Sequence, residues 1–196
     1  MARNTRQEIL DEAKHLFNER GYNSVTTRDI ADAVGISKGN LTYYFKKKEE
    51  IIEALIGDNS DASMHEPPRT LEGLDSHLRR IEQVVADNAF YFWHHAQLSQ
   101  LSPKIHELQL ETLKRNKAVL RDSFGLLSEK GLLVEEEYAG EYDKVIDSLM
   151  LASIYWIPFC ELKGLSSHEG FVDQAWSILY PLLTEESKKA LEAMIK

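Results

Sequence analysis

The stretch of sequence that decides the fold is Ser24-Val-Thr-Thr-Arg-Asp-Ile-Ala-Asp-Ala-Val-Gly-Ile-Ser-Lys-Gly-Asn-Leu-Thr-Tyr-Tyr-Phe-Lys-Lys-Lys-Glu-Glu50. Its pattern predicts two short helices joined at Gly35, where a glycine can end the first helix in the left-handed conformation. Thr26 is a favourable N-cap for the first helix, with Asp29 in the capping-box position, and Ser37 is a favourable N-cap for the second. Two short helices joined by a tight turn are the layout of a helix-turn-helix, whose second helix enters the major groove of DNA.

The second of these helices has one apolar face and one polar face. Leu41 and Phe45 lie four residues apart, so they share the face that packs inward. Amide, hydroxyl and ammonium groups on the other face can bind phosphates or base edges, and a glycine allows close approach to DNA. A lysine run at positions 46–48 adds charge for phosphate contacts. The alternative is an ordinary helical hairpin with a solvated, charged end. The outward and flanking residues are Lys38, Gly39, Asn40, Thr42, Tyr43 and Tyr44.

Residues 5–55 resemble the N-terminal domain of TetR-type transcriptional regulators. The resemblance implies that Thr27 binds a phosphate, that Arg28 reaches a base edge and that Lys48 contacts a backbone phosphate. It also implies that residues 38–44 form the recognition surface. The matching residues are Ile9, Leu10, Ala13, Leu16, Phe17, Gly21, Tyr22, those at 26–31 and 35–39, Leu41, Phe45, Lys48 and Glu49.

Two positions depart from the pattern of these regulators. Thr42 stands after Leu41 where such proteins usually have tyrosine, and Tyr44 stands before Phe45 where they usually have histidine. Both residues carry a hydroxyl group, which can still form a hydrogen bond with a phosphate. The departures therefore bear on the sequence of the operator more than on DNA binding itself.

The net charge of −9 is unusual for a DNA-binding protein, but it is unevenly distributed. Residues 1–51 hold nine Lys and Arg against eight Asp and Glu, whereas residues 52–196 hold fourteen against twenty-four. The acidic second part is therefore expected to face away from DNA, and the few cations of the first part must be placed by geometry.

The rest of the chain shows the periodicity of helices and almost none of the alternation of strands. The sequence predicts an all-α protein with a three-helix helix-turn-helix domain at 1–50 and a helical effector-binding and dimerisation domain at 51–196. The helices predicted outside the helix-turn-helix are one that begins with Thr5 as its N-cap, one from 47 to 58, Leu71–Leu98, one from Pro103 to Lys130, Glu141–Leu162, Ser167–Leu183 and a short helix after Thr184.

The helix predicted at 71–98 carries a stripe of apolar residues that two polar residues, Asn88 and His95, interrupt beside Phe92. A mostly apolar face with a few polar groups is typical of a pocket for a small apolar or aromatic molecule. The alternative is a solid core in which the amide and the imidazole bind neighbouring backbone. The adjacent His94 and His95 diverge on a helix, so no metal site is predicted.

The segment Val145–Cys160 is apolar on nearly every side. A small domain covers one face of such a helix, so a second subunit is expected to cover the other. Pro158 is expected to kink this helix or to lie near its end. In TetR-type proteins the last two long helices form the dimer interface, which here implies a partner surface that includes Phe171, Trp176, Ile178 and Leu179.

The remaining features favour a cytoplasmic protein. The N-terminus carries charges throughout, which is unlike a signal peptide, and no apolar run is expected to be long enough to span a bilayer. The lone cysteine, Cys160, agrees with a reducing compartment and is expected in the core. No catalytic residue, cofactor or metal site is predicted, since the sequence has no nucleophile elbow, metal motif or phosphate loop.

Together these patterns predict a homodimeric, ligand-responsive repressor that binds double-stranded DNA at a palindromic operator. A protein of the same fold that binds DNA or acts as an adaptor without an effector is the alternative, and it would have a filled core in place of a pocket.

Overall fold

The computed structural model describes residues 4–58, 62–165 and 170–194 of the chain. They form α-helices, short 3-10 turns and one isolated antiparallel bridge between Leu133 and Leu183, which confirms the predicted all-α class. The helices are α1 (Thr5–Arg20), α2 (Thr27–Val34), α3 (Lys38–Tyr44), α4 (Lys48–Asp58), α5 (Leu71–Asp87), α6 (Ala89–Trp93), α7 (His95–Leu98), α8 (Pro103–Glu129), α9 (Glu141–Lys163), α10 (Phe171–Leu179) and α11 (Glu185–Met194).

The helices divide into two compact units that are not contiguous in sequence. The N-terminal unit contains α1 to α4, α6, α7 and α8 as far as Glu111, and the C-terminal unit contains α5, the rest of α8 and α9 to α11. This division differs from the predicted boundary after residue 50, because α4 and the segment from Asn88 onward pack with the helix-turn-helix.

Local hydrogen bonds fix the ends of the first helices. Thr26 and Asp29 form the predicted capping box, in which the Asp29 carboxylate accepts from the Thr26 amide at 2.7 Å. These hydrogen bonds lower the pKa of the Asp29 carboxyl group. Ser37 Oγ accepts from the amide of Asn40 at 3.1 Å, as predicted. The predicted N-cap of α1 is wrong by one residue, since Asn4 caps this helix and Thr5 is its first helical residue.

Gly35 ends α2 in the left-handed conformation, with φ of 74°. Its amide donates to the carbonyl of Asp32, and the amide of Ile36 donates to the carbonyl of Ala31 at 2.9 Å. This pair of hydrogen bonds is the Schellman motif, which satisfies the last carbonyls of a helix while the chain reverses. The turn between α2 and α3 is therefore held by backbone hydrogen bonds as well as by packing.

The core of the N-terminal unit joins the helix-turn-helix to α6. The Phe17 ring lies 5.4 Å from that of Tyr22 and 5.3 Å from that of Phe90, measured between ring centroids. Burial, and secondarily the charge of Glu49, raises the pKa of Tyr22 to about 12. The amide of Phe90 also donates to Asn18 Oδ1 at 3.0 Å. Other fully buried members of this core are Ile9, Leu10, Ala13, Val25, Ile30, Ala31, Leu41, Ile51, Ile52, Leu98 and Ile105.

The predicted single helix over 71–98 is wrong. Helix α5 ends at Asp87, and the backbone leaves the helical region at Asn88 (ψ 36°) and again at His94 (ψ 13°). Apolar periodicity continues through these positions, but the packing of Phe90 against the N-terminal unit overrides it. The predicted stripe therefore spans two units, with Leu74, Leu78 and Val85 in one and Phe92 and His95 in the other.

The C-terminal unit has a buried polar contact in its apolar core. Asp75 on α5 accepts from Trp176 Nε1 at 2.9 Å and from Arg79 Nε at 2.7 Å. Glu82, one helical face along, accepts from the amide of Phe171 at 3.0 Å and so caps the start of α10. These contacts fix α10 against α5.

A second buried tryptophan in the same unit has no such partner. Trp156 is 6% exposed, and its Nε1 atom has no hydrogen-bond partner among the described residues. An unsatisfied buried donor costs about 1–3 kcal/mol. We expect Trp156→Phe to leave the free energy of unfolding unchanged or to raise it by about 1 kcal/mol, because the lost packing is offset by removal of the donor.

The matched control is Trp176→Phe, which removes a donor that is satisfied. This variant leaves the buried Asp75 carboxylate with one partner fewer, and we expect it to lower the free energy of unfolding by about 2–3 kcal/mol. Urea denaturation of both variants measures the difference. Equal destabilisation by the two substitutions would show that Trp156 Nε1 is satisfied in solution.

Helix α9 buries one face in this unit and leaves an apolar face uncovered. Its buried residues include Ile146, Leu149 and Ile157, and Cys160 is fully buried as predicted, which raises the pKa of its thiol. Pro158 lies inside the helix, which continues for five residues beyond it to Lys163. The uncovered residues are Leu151, Tyr155, Phe159 and Leu162, which we call the α9 outer face.

Two sequence-based expectations about this region are wrong. Within the described residues, α9 is long and apolar enough to cross a membrane by length and composition, although no such segment was expected. Of the residues predicted at a subunit interface, Phe171, Trp176 and Leu179 are buried inside the unit, and Ile178 alone is half-buried. The predicted start of α10 at Ser167 lies outside the described residues, and α10 begins at Phe171.

Candidate DNA-binding surface

The outer face of α3 has the exposure expected of a recognition helix. Tyr43 is 82% exposed, and Lys38, Gly39 and Asn40 are exposed as well. The Tyr44 ring packs edge-on against that of Tyr43, with 5.2 Å between centroids. Large aromatic rings are rarely left this open on a monomeric surface, which makes this helix face a candidate contact surface.

Arg28 and Thr27 lie in the first turn of α2, beside this face. The Arg28 guanidinium is 80% exposed, and its Nε is 3.8 Å from Asp32 Oδ2. An ion pair between two exposed side chains contributes little, so it does not prevent Arg28 from binding another group. Thr27 is half-buried at the first helical position, where free amides favour an anion.

Thr42 uses its hydroxyl proton within α3. The Thr42 hydroxyl donates to the carbonyl of Lys38 at 2.9 Å. A hydroxyl group has one proton, so in this conformation Thr42 can offer DNA only its acceptor lone pairs. Contact of Thr42 with a phosphate stays a prediction, and it requires rotation of this hydroxyl.

Lys48 is engaged inside the N-terminal unit. Its ammonium donates to the carbonyls of Tyr22 and Val25 at 2.7 and 2.8 Å, and it lies 3.9 Å from the centroid of the Tyr22 ring. Burial lowers the pKa of this ammonium, and the charge of Glu49 opposes that effect. The predicted phosphate contact of Lys48 is untested, but two of its three donors tie α4 to the corner between α1 and α2.

Other cations lie close to the recognition helix. Lys46 and Lys47 are exposed directly after α3, and the Arg6 guanidinium lies 5.4 Å from the centroid of the Phe45 ring. Sequence reasoning missed that Arg6 stacks on Phe45, because the contact joins residues that are far apart in sequence. Arg3, which the sequence also suggests as a cation for DNA, lies outside the described residues.

The residues predicted to bind an effector belong to the same unit as the recognition helix. Asn88 is buried at the start of α6, whereas Phe92 and His95 are half-buried. The Tyr91 ring packs edge-on against both neighbours, with its centroid 5.1 Å from that of Phe92 and 5.2 Å from that of His95. Burial lowers the pKa of His95.

Sequence reasoning missed two members of this cluster, Tyr91 and Gln109. Gln109 is buried on α8, and its Nε2 donates to the backbone carbonyl of His95 at 3.1 Å. Burial raises the pKa of Tyr91 to about 12, against a smaller, opposite effect of its hydrogen bond with Gln109. The polar residue on an otherwise exposed stretch of α8 was the available signal. Among the described residues, no group of three or more His, Cys, Asp or Glu side chains is placed to hold a metal ion.

Comparison with known proteins agrees with the architecture of the helix-turn-helix. Residues 9–55 match the family described as bacterial regulatory proteins, tetR family. The chain belongs to this family. The match includes all of α2 and α3, with the capping box, the Schellman turn and Lys48, so the TetR resemblance inferred from the sequence is confirmed.

Individual TetR relatives extend the comparison. The chain is 43% identical over 56 residues to the HTH-type transcriptional repressor KstR2 of Mycolicibacterium smegmatis, which is 29% of this chain and 27% of that protein. It is 25% identical over 176 residues to the probable HTH-type transcriptional regulator YttP of Bacillus subtilis, covering 83% and 80% of the two chains. The match to KstR2 thus spans about a quarter of that repressor's length.

The fold of the whole chain is also that of a solved TetR-family structure. A TetR-family transcriptional regulator from Marinobacter aquaeolei superposes with a TM-score of 0.90 over 98% of this chain and 97% of that chain, at 24% identity. At this identity the likeness shows the fold, an N-terminal helix-turn-helix followed by a helical C-terminal region.

The exposure of Arg28 leads to a prediction about sequence preference. We expect Arg28→Ala to weaken binding to a selected operator by about 1–3 kcal/mol and to relax the preference at one base pair, if the guanidinium binds a base edge. Binding titrations with the operator and with single-base variants measure both effects. An equal loss for every DNA sequence would assign Arg28 to the phosphate backbone instead.

Proposed function

We propose that this protein is a sequence-specific DNA-binding regulator that represses transcription as a homodimer. In this proposal it binds a palindromic operator and releases it when a small apolar or aromatic effector binds. The observation that carries the proposal is the rigidly capped helix-turn-helix, whose exposed face holds Tyr43, Asn40 and Lys38 beside the exposed Arg28. We propose that it acts in the cytoplasm.

The residues proposed to contact DNA divide into two roles. Base-edge contacts come from Arg28, Asn40 and Tyr43, whose side chains extend from two successive helices into the space that a groove would fill. Gly39 allows close approach, and the other residues bind phosphates. The proposed phosphate-binding residues are Thr27, Lys38, Thr42, Tyr44 and Lys48, with Lys46 and Lys47 beside them.

A dimer is proposed because one recognition helix reads too few base pairs for a palindrome. Helix-turn-helix dimers bind half-sites one helical turn apart, about 34 Å, so the two subunits must hold their recognition helices at that spacing. The α9 outer face is the surface that supports this proposal, since it exposes Leu151 and Tyr155 to solvent in the monomer. A helix that meets the length and hydropathy of a membrane span while half packed in a core is also accounted for by a partner subunit.

The proposed effector acts by a shift between two conformations. It binds beside Phe92 and His95 and favours a spacing of the recognition helices that no longer fits successive grooves. A coupling free energy of about 1–3 kcal/mol would weaken operator binding about 5–150-fold. Contacts of Phe90 with Phe17 and Asn18, within one unit, give this site a direct physical link to α1.

A DNA-binding protein or adaptor of the same fold without an effector is the second candidate. The specific observation in its favour is that Tyr91 and Gln109 already satisfy each other and the His95 carbonyl, as in a filled core. The two candidates share the DNA-binding surface and differ only in the response to small molecules.

Selection from a random pool of duplex DNA tests the shared part of the proposal. We expect the purified protein to enrich a palindromic sequence within a few rounds, and we expect the variant Arg28→Ala, Tyr43→Ala to enrich none, because it lacks two of the proposed base contacts. The variant Lys14→Ala, which changes a half-buried cation of α1, is the control for general loss of charge. Failure of the wild-type protein to enrich any sequence would refute the DNA-binding function.

A further inference from the structure

The cluster formed by Tyr91, Phe92, His95 and Gln109 is unevenly satisfied. The Tyr91 hydroxyl and the Gln109 amide are hydrogen-bonded to each other, and Gln109 also binds the His95 carbonyl at 3.1 Å. Within the described part of the chain, the ring nitrogens of His95 take part in no hydrogen bond. The imidazole is thus the member of the cluster whose polar atoms remain available to a ligand.

The His95 ring is also reachable. The residue is half-buried, and its ring nitrogens are not among the sealed, unpartnered polar atoms of the described residues, where Trp156 Nε1 alone has that status. The Tyr91 ring lies edge-on between Phe92 and His95, with centroid distances of 5.1 and 5.2 Å. An aromatic wall with one open polar group is the arrangement that orients a small aromatic ligand.

The charge state of the imidazole selects the chemistry of that ligand. Burial lowers the pKa of His95, and no neighbouring charge opposes this effect, so the ring is neutral near pH 7. A neutral imidazole has one donor and one acceptor nitrogen, which is a poor match for a carboxylate because that group needs a cation. A hydroxyl group can match either nitrogen, and an acidic hydroxyl makes the stronger hydrogen bond to the acceptor.

We propose that the effector carries a weakly acidic aromatic hydroxyl, a phenol, which donates its proton in a hydrogen bond to His95 while its ring lies against Phe92. The inference rests on the proposed effector response and names the ligand class for that site. No bond is made or broken, and the proton stays shared between the phenol oxygen and the imidazole. Phe92 supplies apolar contact area, and His95 distinguishes a phenol from an ether of the same size.

The test compares two probes of nearly equal shape, 4-phenylphenol and 4-methoxybiphenyl, by isothermal titration calorimetry with the full chain in the absence of DNA. We expect the wild-type protein to bind the phenol about tenfold more tightly than the methyl ether, the effect of one hydrogen bond. We expect His95→Phe to bind both probes with affinities within about twofold of each other, and His95→Gln, which keeps an acceptor, to retain part of the preference.

The matched control is His106→Phe, which replaces an exposed histidine on α8 in the same unit and should keep the preference of the wild-type protein. Equal affinity of the wild-type protein for the two probes overturns the inference, and so does a preference that persists in His95→Phe. Absence of binding by either probe at about 1 mM also overturns it. The comparison in the wild-type protein needs no variant to fold. Operator selection is a separate measurement, so failure of the phenol site and failure of the proposed DNA-binding function are distinguishable.

Discussion

Replacing Lys48 by methionine is expected to destabilise the protein before it affects any contact with DNA. The Lys48 ammonium donates to the carbonyls of Tyr22 and Val25, and methionine fills similar space without a donor. Hydrogen bonds from a charged donor contribute about 1.5–3 kcal/mol each, and partial exposure of this side chain reduces that figure. We expect Lys48→Met to lower the free energy of unfolding by about 2–3 kcal/mol in urea denaturation.

Lys47→Met is the matched control, because Lys47 is exposed and precedes Lys48 directly. We expect this variant to change the free energy of unfolding by less than about 0.5 kcal/mol and to lower the salt dependence of operator binding by about one phosphate contact. The opposite pattern, a fully stable Lys48→Met protein with a weaker salt dependence, would assign Lys48 to the phosphate backbone as the resemblance implies.

Placing charges on the α9 outer face is expected to abolish tight operator binding without touching the DNA-binding surface. The double variant Leu151→Glu, Tyr155→Glu puts two carboxylates where the proposed dimer would bury apolar side chains. Burial of an unpaired carboxylate is strongly unfavourable, so the subunits should separate. Operator affinity should then fall about 100-fold or more, because two linked recognition helices bind far more tightly than one.

Sedimentation and operator titration of the same samples measure this effect. Arg115→Glu on α8 changes the net charge by the same two units at an exposed site, and we expect it to remain dimeric with operator affinity close to that of the wild-type protein. A soluble monomer of the wild-type protein at micromolar concentration would contradict the proposed dimer, and so would a double variant that stays dimeric.

The two experiments separate contributions that act through different units of the molecule. Lys48 acts on the stability of the N-terminal unit, whereas Leu151 and Tyr155 act on the assembly of the C-terminal unit. A variant that unfolds and a variant that fails to dimerise both lose operator binding, but only the first loses its cooperative unfolding transition at the wild-type urea concentration.

The sequence by itself determined the local structure of the helix-turn-helix. Thr26, Asp29 and Ser37 cap helices through hydrogen bonds that span three residues, and Gly35 ends α2 because it reaches a positive φ without strain. Such interactions depend on nearby residues alone, so their residue types and spacing predict them. The same holds for the exposed face of α3, which follows from the helical period.

Tertiary structure decided which residues meet across the chain. Local periodicity predicts one helix through Asn88, but Phe90 packs on Phe17 and the helix breaks. Lys48 belongs to a run of lysines that indicates a solvated surface, yet its ammonium binds carbonyls more than twenty residues away. Trp176, which composition favours at an interface, lies instead against Asp75 in the core. In each case a long-range contact contributes more free energy than the local preference, and the order of the residues alone does not reveal that contact.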